Sequence, residues 1–77
     1  MVQAYILIQA DLGKATAVAA AVREIPGVTS CDDVTGPYDV IARAEAETLD
    51  ALGSLVVAKI QETAGIMRTL TCTVVHP

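Results

Sequence analysis

The sequence predicts an α+β fold of order β-α-β-β-α-β, with one four-stranded antiparallel sheet carrying two helices on one face. Three observations predict it. Apolar residues alternate over 2–10 and 38–46, as on strands whose successive side chains point to opposite faces. Two stretches between strands place apolar residues at helical spacing, and each stops at a glycine. The two halves also echo each other, Arg23-Glu24-Ile25-Pro26-Gly27-Val28 corresponding to Gln61-Glu62-Thr63-Ala64-Gly65-Ile66 at an offset of 38 residues.

The first strand is Val2 to Ala10, β-branched and aromatic, with every even position apolar and a mixed odd row of Gln3, Tyr5, Leu7 and Gln9. Asp11 is positioned to cap a helix over Lys14 to Ile25, whose apolar face is Val18, Val22 and Ile25. Pro26-Gly27 stops it. Val28 to Thr35 reads as a more polar strand, followed by the turn Gly36-Pro37. Tyr38 to Ala46 is the clearest strand, with Tyr38, Val40, Ala42, Ala44 and Ala46 on one face and Asp39, Arg43 and Glu45 on the other. Thr48 caps the second helix, Asp50 favours its dipole, and Leu49, Leu52, Val56 and Ile60 form the inner stripe. Leu55 and Val57 lie off that stripe. Ala64-Gly65 ends the helix, and Ile66 to Val75 is the last strand. Its even row is Ile66, Arg68, Leu70, Cys72 and Val74; Thr69, Thr71 and Thr73 oppose it.

Two strand–helix–strand halves related by a pseudo-two-fold form the ferredoxin-like, split-βαβ sandwich. No helix remains for the second face of the sheet, which carries Tyr5, Leu7 and Ile41. A second copy of the chain is the simplest cover. Composition agrees: 77 residues form one small domain with a marginal core, 53% are hydrophobic, and only 18% are charged.

The net charge of −4, with no adjoining basic residues, argues against a nucleic-acid surface. No apolar run spans a membrane, no signal peptide is visible, and a cytoplasmic address is expected. Cys31 and Cys72 match no zinc or redox spacing and read as buried free thiols. His76 is the sole histidine and penultimate. Ser30 and Ser54 lack a nucleophile elbow, and no phosphate loop is present. The expectation is no catalytic residue, no metal and no cofactor.

Val34-Thr35-Gly36-Pro37-Tyr38-Asp39-Val40 supports two readings. It is a tight connection between strands, with Asp39 accepting turn amides. It is also suited to a free amino acid, with amides near Gly36 for the carboxylate and Asp39 for the ammonium. Thr69 and Thr71, or a neighbouring subunit, would add hydrogen bonds. On the chemistry alone both readings stay open.

The chain resembles the effector (RAM) domain of the leucine-responsive/asparagine regulator family, Lrp/AsnC. The resemblance rests on Ile25-Pro26-Gly27-Val28, on Thr35-Gly36-Pro37-Tyr38-Asp39, and on Gly65-Ile66 with Thr69 and Thr71, in order over nearly the whole chain. It implies sheet-paired dimers assembled into rings, often octameric, with amino-acid effectors between dimers. It also implies a ligand set of Gly36, Tyr38, Asp39, Gly65, Thr69 and Thr71. Family members normally begin with a helix-turn-helix, whereas this sequence starts at the effector domain, like the stand-alone subgroup. Regulation without direct DNA binding would then pass through a full-length relative or another partner. A purely structural assembly module and a small dimeric α+β barrel enzyme are the alternatives.

Overall fold

A computed structural model describes residues 1–75; His76 lies outside the described residues. The strands are β1 (Val2–Ala10), β2 (Val28–Asp33), β3 (Val40–Ala46) and β4 (Ile66–Thr73), in sheet order β2-β3-β1-β4, all antiparallel. Helix α1 is Ala15–Arg23, and α2 is three consecutive segments, Leu49–Ala51, Leu52–Val57 and Ala58–Gln61. The expected β-α-β-β-α-β order and ferredoxin-like sandwich are therefore present. No helix among the described residues is long and apolar enough to cross a membrane.

The alternation in β1 and β3 produces the core directly. Ala4, Ile6, Ile8 and Ala10 meet Val40, Ala42 and Ala44 beneath Val18, Ala19 and Val22 of α1 and Leu52, Val56 and Ile60 of α2. No buried side-chain N or O lacks a hydrogen-bond partner among the described residues. The odd row of β1 faces away from the helices. There Leu7 stands between Ile41 and Leu70 in register, and Tyr5 between Arg43 and Cys72. The Arg43 guanidinium lies 5.2 Å from the Tyr5 ring centre and donates to both Tyr5 Oη and Gln3 Oε1.

Five expectations need correction. Lys14, not Asp11, is the N-cap of α1, and no side chain caps it; Asp11 instead accepts the Lys14 N–H through its carbonyl. The last three strands are shorter than expected: residues 34–39 form an extended turn, and β4 stops at Thr73. In β4 a bulge shifts the register between Gln9 and Ala10, so Ile66 pairs with Ala10 while Arg68 pairs with Gln9. The extra residue splits the even row of β4. Ile66 packs against the core, whereas Arg68, Leu70 and Cys72 join the open face with Gln9, Leu7 and Tyr5. Cys72 is consequently exposed rather than buried, although Cys31 is buried as expected.

Leu49 is 61% exposed instead of joining the stripe. The buried residues of α2 follow one another at steps of four, and the step before Leu52 falls on Thr48. An α-helix rotates such a row by about 40° per step. The middle segment is a π-helix, with the Ala58 N–H donating to Gly53 O five residues back, and its wider turn carries the row back toward the sheet. Thr48 caps α2 as expected, its Oγ1 accepting the Ala51 N–H at 3.0 Å, and Ser54 Oγ donates back to Asp50 O at 2.9 Å.

Candidate functional site

The segment 34–39 closes against the C-terminal end of β1. Asp39 N–H donates to Ile8 O and Val34 N–H donates to Asp39 O, both at 2.9 Å. The β1–β3 ladder ends at Ile8 and Val40, leaving the Ala10 amide beyond its reach. Asp39 supplies the missing acceptor: Ala10 N–H donates to its Oδ2 at 2.9 Å. The carboxylate therefore fastens a neighbouring strand, not the amides of its own turn. Among the described residues its Oδ1 accepts no hydrogen bond, and the amides of Thr35, Gly36 and Tyr38 donate to no protein acceptor.

The second loop reaches the same end. Asp11 N–H donates to Gly65 O at 2.8 Å, and Thr69 pairs with Ile8 across from Val40. Asp39 and Thr69 thus flank β1 on opposite sides, their backbones separated by about two strand spacings, ~10 Å. The structure places Gly36, Tyr38, Asp39, Gly65 and Thr69 around one end of the sheet. Thr71 pairs with Ile6, two register pairs farther along.

The two glycines of this group differ in kind. Gly65 has φ +90°, and a Cβ there would stand 3.1 Å from Val18 Cγ2 and 3.2 Å from Lys14 Cβ. Packing and backbone alone account for it. Gly36 has no positive φ, and a Cβ would meet nothing within 4 Å among the described residues. The fold does not require glycine at that position.

Sequence reasoning missed three polar residues at this end. Gln9 donates from Nε2 to Pro37 O at 3.0 Å and accepts from Arg68 Nε at 2.6 Å, tying the turn to β4. Gln61 Nε2 donates to Thr69 Oγ1 at 3.4 Å. The odd-row position of Gln9 was the available signal; nothing in the sequence marked the other two.

No predicted site residue lines the groove at the other end of the sheet, whose volume is about 740 Å³ and whose walls include Gly27, Ala46 and Val56. Among the described residues no group of three His, Cys, Asp or Glu side chains could hold a metal ion.

The model of the Lrp/AsnC ligand binding domain matches residues 3–77. No curated protein matches the chain. Among solved structures, TTHA0845 from Thermus thermophilus is 30% identical with a TM-score of 0.91, over 100% of this chain and 96% of that one. Hypothetical protein PHS023 from Pyrococcus horikoshii is 31% identical with a TM-score of 0.89, over 100% and 93%. The transcriptional regulator NMB0573 from Neisseria meningitidis, solved as a complex with L-Met, is 26% identical with a TM-score of 0.83. That match covers 97% of this chain but 50% of the regulator.

Proposed function

The chain belongs to the Lrp/AsnC ligand-binding-domain family, and from that premise we propose that it binds an amino-acid effector at the Gly36–Asp39 end of the sheet. The observation that carries this reading is the juxtaposition of amides at Thr35, Gly36 and Tyr38 and an Asp39 Oδ1 that have no partner among the described residues. A zwitterion needs such donors for its carboxylate and such an acceptor for its ammonium. The clear space at Gly36 leaves room for close approach. Thr69, Thr71 and Gly65 form the far wall, with groups from a neighbouring subunit completing the pocket. The complex of NMB0573 with L-Met makes methionine the first effector to test.

The open sheet face supports assembly. Leu7, Ile41 and Leu70 form an apolar row across three strands, the kind of surface a second copy covers. Dimers formed there assemble into rings, octameric or similar, and the domain acts in the cytoplasm as a non-catalytic regulator. DNA contact falls to a partner such as a full-length family member, in keeping with the net charge of −4. The same apolar row favours a second reading, a structural module that modulates such a partner without ligand.

A thermal-shift panel of the twenty amino acids separates these readings. Ligand at 100 times its dissociation constant adds about 2.7 kcal/mol. Each kcal/mol moves the midpoint of so small a domain by roughly 4–8 °C. The effector reading expects a rise of at least ~10 °C confined to one chemical class of amino acid. A flat panel contradicts it and leaves the structural module.

A further inference from the structure

The groove at the opposite end of the sheet has no part in the effector reading, yet it is a built feature. Its floor is a close approach between Gly27 and α2, where a Cβ on Gly27 would stand 2.6 Å from Val56 Cγ2 and 3.1 Å from Glu45 O. Ile25, Pro26, Leu55 and Val56 supply apolar walls, and Leu55 remains 63% exposed. One wall is the π-helical stretch of α2, a geometry that occurs often at functional sites. The volume of about 740 Å³ falls among those of small-molecule pockets, which are mostly apolar with few polar groups.

Charge selects the ligand class. Glu24, Glu45 and Glu47 line the groove against a single base, Lys59, and none of the four forms an ion pair among the described residues. The C-terminus of α1 and the N-terminus of α2 both lie here, so their opposite dipole ends offset and side chains set the sign. We propose that this groove is a second ligand site, taking a small organic cation with an apolar body. A second copy is a poorer occupant, since it brings the same net charge of −4 to an acidic groove. The site is independent of the effector reading, because Ala46 in its wall pairs with Val2 at the start of β1, whereas Asp39 binds Ala10 at its end.

The test is methyl NMR on the whole chain, titrated with phenethylammonium, the neutral 2-phenylethanol and the anion 3-phenylpropionate. The proposal expects shifts at Ile25, Leu55 and Val56, with affinity falling from cation to alcohol to anion. Glu47→Gln weakens the cation about two- to fivefold and Lys59→Gln strengthens it by a similar factor; both side chains are exposed, so the fold is retained. Equal binding of all three probes, or no binding, overturns the proposal. So do shifts confined to the Gly36–Asp39 end. Leu55 and Val56 shifts that follow protein concentration without probe also overturn it, by assigning the groove to another copy.

Discussion

At one end of the sheet Gly36 sits in an ordinary backbone conformation with open space around it, while at the other Gly27 is fixed at φ +99° against Val56. Among the described residues the first end leaves three amides and a carboxylate oxygen without protein partners; the second leaves an apolar groove with an acidic rim. Glycine therefore serves opposite needs in one small domain. At Gly27 it lets two elements approach, and replacement damages the fold. At Gly36 it leaves room, and replacement spares the fold.

Substitution can break that contrast. Gly27→Ala carries both left-handed backbone strain and the Val56 clash, and about 3 kcal/mol of destabilisation is expected, read as a fall of more than ~10 °C in Tm. A shift near zero would mean the Gly27–α2 approach relaxes freely. Asp39→Ala removes the acceptor of the half-buried Ala10 N–H and costs about 1–2 kcal/mol in chemical denaturation. It also lowers effector affinity at least ~10-fold, as the effector ammonium loses its counter-charge. Gly36→Ala stays within ~0.5 kcal/mol of the parent in the same denaturation assay, yet weakens effector binding.

The smallest effects separate the two faces of the sheet. Burial holds the Cys31 thiol above its usual pKa, with Arg23 opposing the shift. Its neutral form is favoured by folding, so this contribution is present below the ordinary thiol value and is lost as pH rises through the raised one. A slight loss of stability between pH 8 and 10, absent in Cys31→Ala, is the expected reading. Thiol labelling extends the contrast: Cys72 reacts quickly in a free chain, Cys31 slowly. Cys72 becomes protected when the open face pairs, and Leu7→Asp restores its reactivity or leaves the chain unfolded. A folded, unassembled parent with Cys72 already protected would contradict that assignment.

Most of the core was legible because alternation in β1 and β3 is a property of single strands. Val40, Ala42 and Ala44 face Ile6 and Ile8 as their parity requires. Cys72 and Ile66 were misplaced because a bulge is a relation between strands, and the run from Ile66 to Val75 contains no mark of it. Leu49 failed for a related reason. Steps of four along Leu52, Val56 and Ile60 suit a widened helix, which the sheet beneath selects. Five of the six candidate residues gather at one end of the sheet, but the bond from Asp39 to Ala10 joins segments distant in sequence and was not foreseeable. Gln9 and Gln61 escaped notice because their contacts exist only after β1, β4 and α2 are packed.

The most direct test maps amide shifts of the parent chain during titration with the amino acid that raises Tm most in the panel. The expected result is movement of the Thr35, Gly36 and Tyr38 amides, with Leu55 and Val56 unmoved. Movement at Leu55 and Val56 with Gly36 unmoved would place the effector at the wrong end and contradict it.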